Sequence, residues 1–302
     1  IVFSFIMLLV FLEGVYAAGN KGSMPLNFYL IGLFSLFSAV GIYIVMSLGD
    51  RELFFSGFQF PLLIFGLISC ILFFSFDYQL LDNVNSYPAL FLPSLCYLWL
   101  IKNKLFETLI VLAIVIFLTL FFDARLTLIL SLLALILKLI PKNNFHKSFS
   151  WIAIGLTFAT IYSAINFDPF VNELLSNRVL IWQYYIFYAA QDLLWGFGYI
   201  SPEMSESTSK FLENELQRGA NTQYGTQSMV IRYIYENGIV VTIVTYLFLF
   251  KYILRKTKYA NLALLGYLST LIESVKIGVP SIFGCIFLVF FLMSLTENTK
   301  KV

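Results

Sequence analysis

Charged side chains are scarce in this chain. They make up 12% of its 302 residues, where a soluble domain carries roughly a quarter, and that shortage excludes an ordinary soluble domain. Histidine is scarcer still: His146, between Lys142 and Lys147, is the single one, which excludes a metal site built on histidines. Cys70, Cys96 and Cys285 each lie inside an apolar run. A buried cysteine behaves as a small hydrophobe, and their spacing fits neither a zinc site nor a disulfide framework. No phosphate-binding P-loop, nucleophile elbow or dinucleotide fingerprint occurs, so the known motif classes of ATPase, metalloprotease and serine hydrolase have no support. A net charge of +2 gives bulk electrostatics no reason to point to nucleic acid.

What the chain has is apolar length. It is 60% hydrophobic, with a mean hydropathy of +0.85, and reads as an all-α polytopic membrane protein. A spanning helix needs roughly 20 apolar residues, and about ten stretches are candidates: 1–18, 25–48, 54–76, 86–101, 105–122, 125–140, 149–165, 228–250, 260–275 and 278–296. The fourth and sixth are short, and Glu273 interrupts the ninth. In lipid the backbone must satisfy its own hydrogen bonds, so each is expected to be a helix. The first run lacks a basic leading region and is read as a span, not a signal peptide. The chain opens at Ile1 without a methionine, and a missing native start is expected. Three regions follow: N-terminal helices over 1–165, an extracytoplasmic loop over 166–227, and C-terminal helices over 228–302.

Orientation follows from Lys and Arg in short loops. Alternate loops place Arg51, Lys102, Lys104, Lys138, Lys142, Lys147, Lys251, Arg255, Lys256, Lys258, Lys300 and Lys301 on one side. Lys21, Arg125, Arg178, Lys210, Arg218, Arg232 and Lys276 remain for the other. The richer side is expected to be cytoplasmic, with both termini on it. The 166–227 passage then lies outside, as does the loop 77–87, which has no Lys or Arg.

That passage is the one long polar stretch. Ser176 or Asn177 can cap a helix starting near Arg178. Val179 to Trp195 is apolar and aromatic, with Trp182, Tyr184, Tyr185, Phe187 and Tyr188 broken by Gln183, Gln191 and Asp192. This pattern predicts an interfacial helix lying along the membrane surface. An eleventh span is the alternative, but its apolar core of about a dozen residues is short by the spanning rule. Gly196-Phe197-Gly198 ends the helix in a tight turn. Beyond it, 201–227 is polar and without sustained periodicity, with room for a short surface helix over Thr208–Arg218.

Ionisable groups within spans cost roughly 2.5–3.5 kcal/mol each on insertion scales, and several recur toward the outer side. Asp123 and Arg125 sit between the fifth and sixth helices, Glu273 and Lys276 between the last two, and Glu13 near the end of the first. Arg232 and Glu236, one turn apart in the eighth helix, share a face and can pair. Each pair either neutralises itself at the interface or serves a ligand, and Glu13 is best read as snorkelling. Several arginines at one membrane face suit an anion with several oxygens, because guanidinium binds phosphate bidentately and keeps its charge. A pyrophosphate attached to a lipid would reach such a site from the bilayer. The aromatic residues around Trp182 suit sugar rings or interfacial anchoring equally.

The order of these features resembles the bacterial O-antigen polymerase and O-antigen ligase superfamily. The matching residues are Asp123-Ala124-Arg125, Asn177-Arg178 with Trp182, Gly196-Phe197-Gly198, Gly225-Thr226-Gln227-Ser228-Met229, Arg232, and Tyr235-Glu236-Asn237-Gly238-Ile239. The last block looks most like Wzy-type polymerases. The resemblance implies a GT-C-like membrane glycosyltransferase of the bacterial cytoplasmic membrane. It would join undecaprenyl-pyrophosphate-linked oligosaccharide repeat units into O-antigen or capsule, without a metal or other cofactor. Arg125, Arg178 and Arg232 match the family's basic positions. The residues expected to carry catalysis are Arg178, Arg232 and Glu236, the last as the nearest carboxylate or as a brace for the arginine. Arg125, Asp123, Trp182, Arg218 and Lys276 are expected to bind substrate. Partners are the lipid-linked oligosaccharide, the bilayer and a chain-length regulator protein. The ligases carry a histidine where this chain has Gln227 or Ser228, which favours a polymerase. A ligase and a lipid-linked-sugar transporter or flippase are the competing readings; the second would be expected to show internal repeats, and none is evident.

Overall fold

A computed structural model describes residues 40–76, 78, 86–122, 124–139, 145–175, 178–197, 228–254, 259–272 and 282–295. All regular structure among them is helical. After a helix over 40–48 come α1 (Arg51–Phe76), α2 (Ser86–Ala89), α3 (Leu92–Cys96), a π-helical turn (Tyr97–Ile101), α4 (Leu105–Phe122), α5 (Arg125–Leu139), α6 (Phe145–Ile165), α7 (Pro169–Leu174), α8 (Arg178–Ala189), a 3-10 turn (Ala190–Asp192), α9 (Met229–Ile253), α10 (Ala260–Ile272) and α11 (Ile282–Leu295). Four of these helices, α1, α4, α6 and α9, are long and apolar enough to cross a membrane. The spans expected over 1–18 and most of 25–48 lie outside the described residues.

The fourth apolar run is not one helix. Pro93 has no N–H to offer the preceding turn, so α2 ends at Ala89 and Leu90 and Phe91 form a turn before α3. Within the π-helical turn that follows, the Lys102 amide donates to Tyr97 O at 2.9 Å.

The chain divides into two compact units. One contains the described residues of 40, 152–251 and 270–272, the other those of 41–151, 252–269 and 282–295. In the second unit, polar groups from separate loops meet at one end. Lys102 Nζ lies 3.0 Å from Glu52 Oε2, which places the end of the 86–101 run beside the start of α1. The Tyr259 hydroxyl donates to Glu52 Oε1 at 3.3 Å and the Asn261 amide to Leu137 O at 3.2 Å. Lys138 donates to Trp99 O and to Asn103 Oδ1 and sits over the Trp99 ring. The loops assigned to one side by the alternating pattern therefore touch one another. A tight cluster of Phe73, Phe74, Tyr87, Phe117, Phe121 and Phe122 joins the far ends of α1 and α4 to the start of α2. Between the two ends, Ser94 donates to Gln59 Oε1 at 2.6 Å in the buried core, a polar bond that ties helices together where lipid offers no hydrophobic drive. Large apolar side chains stay exposed along α1, α4, α5 and α6, as expected of helices that face hydrocarbon.

Candidate functional site

The first unit is organised around a break in α9. Gly238 has φ 72° and ψ 172°, a conformation essentially reserved for glycine. By the helical rule the Ile239 amide would donate to Tyr235 O. Instead it donates to Leu193 O at 2.8 Å, and Tyr235 O accepts from the Phe197 amide at 2.7 Å. The segment Leu193–Phe197 thus enters the helical ladder and satisfies both halves of the missing rung. Thr242 Oγ1 donates to Gly238 O at 2.7 Å, so the broken turn keeps its partners on its far side too. The sequence reading of the eighth span as uninterrupted is corrected here: the apolar run continues, but its backbone does not.

Gly196, at φ +72°, faces this break. A Cβ placed on it would lie 2.6 Å from Gly238 N and 2.8 Å from Glu236 O, and a Cβ on Gly238 would lie 2.0 Å from Leu194 O. The two backbones approach more closely than any side chain allows. The helix itself ends before Gly196, at Ala189, so the glycine's positive φ serves this close approach and not the helix end expected from the sequence.

From Ser228 to Gly238 every residue is buried except Arg232. Its Nε lies 2.9 Å from Glu236 Oε1, the pairing expected from the i,i+4 spacing, with side chains 24% and 7% exposed respectively. The guanidinium is therefore the member of the pair that reaches the surface. Beyond the break the helix changes character: Val240, Ile243, Val244 and Leu247 form an exposed apolar stripe at helical spacing.

The α8 helix runs from Arg178 to Ala189; it starts where the sequence predicts but stops short of Trp195, giving way to the 3-10 turn over Ala190–Asp192. Its capping candidates, Ser176 and Asn177, lie outside the described residues. Asn172 Oδ1 accepts from the Leu180 amide at 3.1 Å and ties α7 to the first turn of α8. Asp168 caps α7 through Val171 N, with Pro169 in its first turn, a combination that fits the residues' preferences. On the buried face of α8, Tyr185 packs edge-on against Tyr235, ring centroids 5.1 Å apart, and Phe197 stacks parallel to the same Tyr235 ring at 5.3 Å. Burial pushes the Tyr185 phenol up to about 12, against the pull of Arg232 and with the help of Glu236. Arg178 is seven residues before Tyr185, so it projects from nearly the same side of α8, roughly 10 Å along the axis.

Trp182 is 1% exposed. Its indole N–H is buried without a hydrogen-bond partner among the described residues, as is the Ser228 hydroxyl. The ring is packed into the core and presents no open face. Tyr184 and Tyr188, half-buried with centroids 4.8 Å apart, are the more accessible aromatic pair.

The sequence-derived site residues are therefore distributed as follows. Arg178, Trp182, Arg232 and Glu236 belong to the first unit, and Tyr185 links α8 to the Arg232–Glu236 pair. Arg125 begins α5 in the second unit and is exposed. Asp123, Arg218 and Lys276 lie outside the described residues, as do Glu13 and Glu273. Among the described residues no three metal-ligating side chains gather. Sequence reasoning missed the break at Gly238 and the segment that fills it. The Asn237-Gly238 pair inside an apolar helical run was the available signal, since Asn-Gly marks turns. Compared with protein-family models, curated proteins and solved structures, the chain matches none.

Proposed function

We propose that this protein is a membrane glycosyltransferase that polymerises undecaprenyl-pyrophosphate-linked oligosaccharide repeat units at the outer face of the bacterial cytoplasmic membrane. The observation that carries the reading is the Arg232–Glu236 pair, held on a buried helical segment with only the guanidinium reaching the surface. An arginine in that setting keeps its charge and offers a planar fork to a diphosphate leaving group. Glu236 either receives the proton of the attacking sugar hydroxyl or braces the arginine. Arg178 supplies a second cation from the face of α8 that carries Tyr185. The substrate-binding roles of Arg125, Asp123, Arg218 and Lys276 stay in this proposal on the sequence alone, the three cations for the diphosphate and Asp123 for sugar hydroxyls, with the cytoplasmic side taken as the Glu52–Lys102 end of the second unit and both termini on that side. A GT-C-like arrangement belongs to the same proposal and rests on the sequence resemblance.

The transporter reading gains one observation, the discontinuous helix α9, because transporters bind substrate at such breaks. There, however, the unwound backbone groups are left to coordinate the ligand. Here Tyr235 O and Ile239 N are already taken by Phe197 and Leu193, which favours an enzyme scaffold.

The test is the polysaccharide ladder of cells carrying Arg178→Ala or Arg232→Ala. Long chains are expected to vanish while single-unit glycolipid stays. Unchanged chain length in both variants refutes the polymerase. Long chains that accumulate on the carrier lipid identify a ligase. Purified protein that moves labelled lipid-linked sugar across vesicles without lengthening it identifies a transporter.

A further inference from the structure

We infer that the Leu193–Phe197 segment is a latch that sets the orientation of the Arg232–Glu236 pair, with Gly196 and Gly238 as its positioning residues. The role assigned to the pair rests on the polymerase reading; the latch itself rests on geometry alone. A helix broken at one glycine has a free swivel, because nothing in the ladder fixes one half against the other. In α9 that swivel is closed from outside. The Phe197 amide holds the C-terminal end of the first half at Tyr235 O, and Leu193 O holds the first amide of the second half. Both bonds come from a stretch only five residues long, so the two halves are pinned to one common body. The Phe197 ring lies flat on Tyr235, 5° from parallel, which resists rotation of the residue next to Glu236.

The register of the latch depends on two missing side chains. A methyl group on Gly196 would press on Glu236 C and O at 2.8 Å, and one on Gly238 would strike Leu194 C at 2.5 Å as well as its oxygen. All of these are backbone atoms, which cannot swing aside as a side chain can. Either substitution must separate the segment from the break and release the half that carries Arg232 and Glu236. These residues touch neither substrate nor reacting atoms; they act through the pair.

The experiment uses the full-length protein in lipid nanodiscs as wild type, Gly196→Ala, Gly238→Ala and Phe197→Leu. The last keeps the amide bond and loses only the ring stack. Two readouts are taken. The first is amide hydrogen exchange in peptides covering 193–197 and 236–241. In wild type both regions are expected to exchange slowly and as one unit. Gly196→Ala is expected to speed exchange in 236–241, although it lies 40 residues away in sequence. Unchanged exchange in 236–241 overturns the latch, whatever the activity. The second readout is turnover of lipid-linked repeat units, with binding of undecaprenyl pyrophosphate measured separately. Misplacing a catalytic group by about 1 Å can cost on the order of a hundredfold in rate. Gly196→Ala and Gly238→Ala are expected to lose about that much kcat per folded molecule, with diphosphate binding changed far less, and Phe197→Leu to fall between them and wild type. Turnover that falls only in proportion to folded protein overturns the positioning role. If Gly238→Ala does not fold, Phe197→Leu and Gly196→Ala decide the matter alone. Coupled exchange in a wild-type protein that polymerises nothing leaves the latch standing and removes the polymerase reading.

Discussion

Arg232 Nε and Glu236 Oε1 are 2.9 Å apart, one turn from each other, on a helical segment otherwise closed to solvent. An exposed ion pair contributes at most ~1 kcal/mol, whereas breaking a wholly buried one costs about 3–5 kcal/mol because the survivor is left uncompensated. A carboxylate only 7% exposed lies nearer the second case. Glu236→Ala is therefore expected to lower stability by about 2–4 kcal/mol. The double variant Arg232→Met with Glu236→Leu is expected to recover most of that loss, because replacing a buried pair by apolar groups of similar volume is close to neutral. Polymerisation should not recover. Thermal unfolding in detergent together with the polysaccharide ladder checks both halves. A double variant that makes long chains shows the pair to be structural only.

Arg232→Lys tests whether charge alone is enough. Lysine keeps the positive charge but loses the planar fork and holds a carboxylate or phosphate as a point charge. The expected outcome is a protein that folds but shows a polymer yield at least roughly tenfold below wild type, the size of effect that one lost charge-assisted hydrogen bond of about 1.5 kcal/mol implies. The chain-length ladder from equal amounts of membrane protein measures it.

Much of this arrangement was readable in advance, and the unread part has a physical cause. Helix α8 begins at Arg178 as read, and α4 occupies 105–122 as read, because apolar composition and breaker residues mark helix limits directly. The 232/236 pairing followed from helical spacing alone. The interruption at Gly238 was hidden because the residues after it, from Ile239 to Val241, are as apolar as a continuous span requires. Hydropathy reports what surrounds a residue, not whether its backbone continues the helix. The docking of Leu193–Phe197 was beyond reach for another reason: it is made by main-chain groups, which carry no side-chain signature. Trp182 shows the opposite failure. Its aromatic character was legible, but whether the ring faces a ligand or the core depends on neighbours distant in sequence.

The Tyr185 phenol makes a prediction at alkaline pH. Its folded-state value, raised from 10.0 to about 12 by burial, lies above the unfolded one. Its contribution to stability is thus complete below about pH 10 and is lost as pH rises toward about 12. Tyr185→Phe removes the ionisable group and should flatten that part of the stability profile. Denaturant unfolding of both proteins at pH 9 and at pH 11.5 gives the comparison. An identical loss in both would mean that other groups carry the alkaline dependence.

The polar end of the second unit predicts sidedness. Glu52, Lys102, Asn103 and Lys138 are joined by hydrogen bonds, so they must share one side of a bilayer. Tyr78, beyond the far end of α1, is half-exposed or more and should lie on the opposite side. In a background with Cys70, Cys96 and Cys285 replaced, Asn103→Cys is expected to react with a membrane-impermeant maleimide only after the cells are opened. Tyr78→Cys should react in intact spheroplasts. Labelling of both positions from outside would contradict the helix order of this unit.

Gly66 offers a test of packing away from the site. It lies on the buried face of α1, where an added Cβ would meet Phe91 Cε2 at 2.9 Å, Phe91 Cζ at 3.0 Å and Leu90 Cβ at 3.2 Å. Leu90 and Phe91 are the turn between α2 and α3, and both are fully buried, so the ring has little room to retreat. Gly66→Ala is expected to destabilise by about 1–3 kcal/mol, the usual penalty for overpacking a dense core. Gly57→Ala and Gly155→Ala, inside α1 and α6 where nothing lies within 4 Å of the added atom, should instead stabilise by about 0.5–1 kcal/mol, the helix preference of alanine over glycine. Phe91→Leu shortens the obstructing ring and should relieve Gly66→Ala. The double variant would then be more stable than the sum of the single losses, a coupling expected only between residues in contact. Thermal unfolding of the four single variants and the Gly66→Ala/Phe91→Leu pair completes the cycle; strictly additive losses would mean that the close approach of Gly66 to Phe91 does not govern the packing of α1 on this turn.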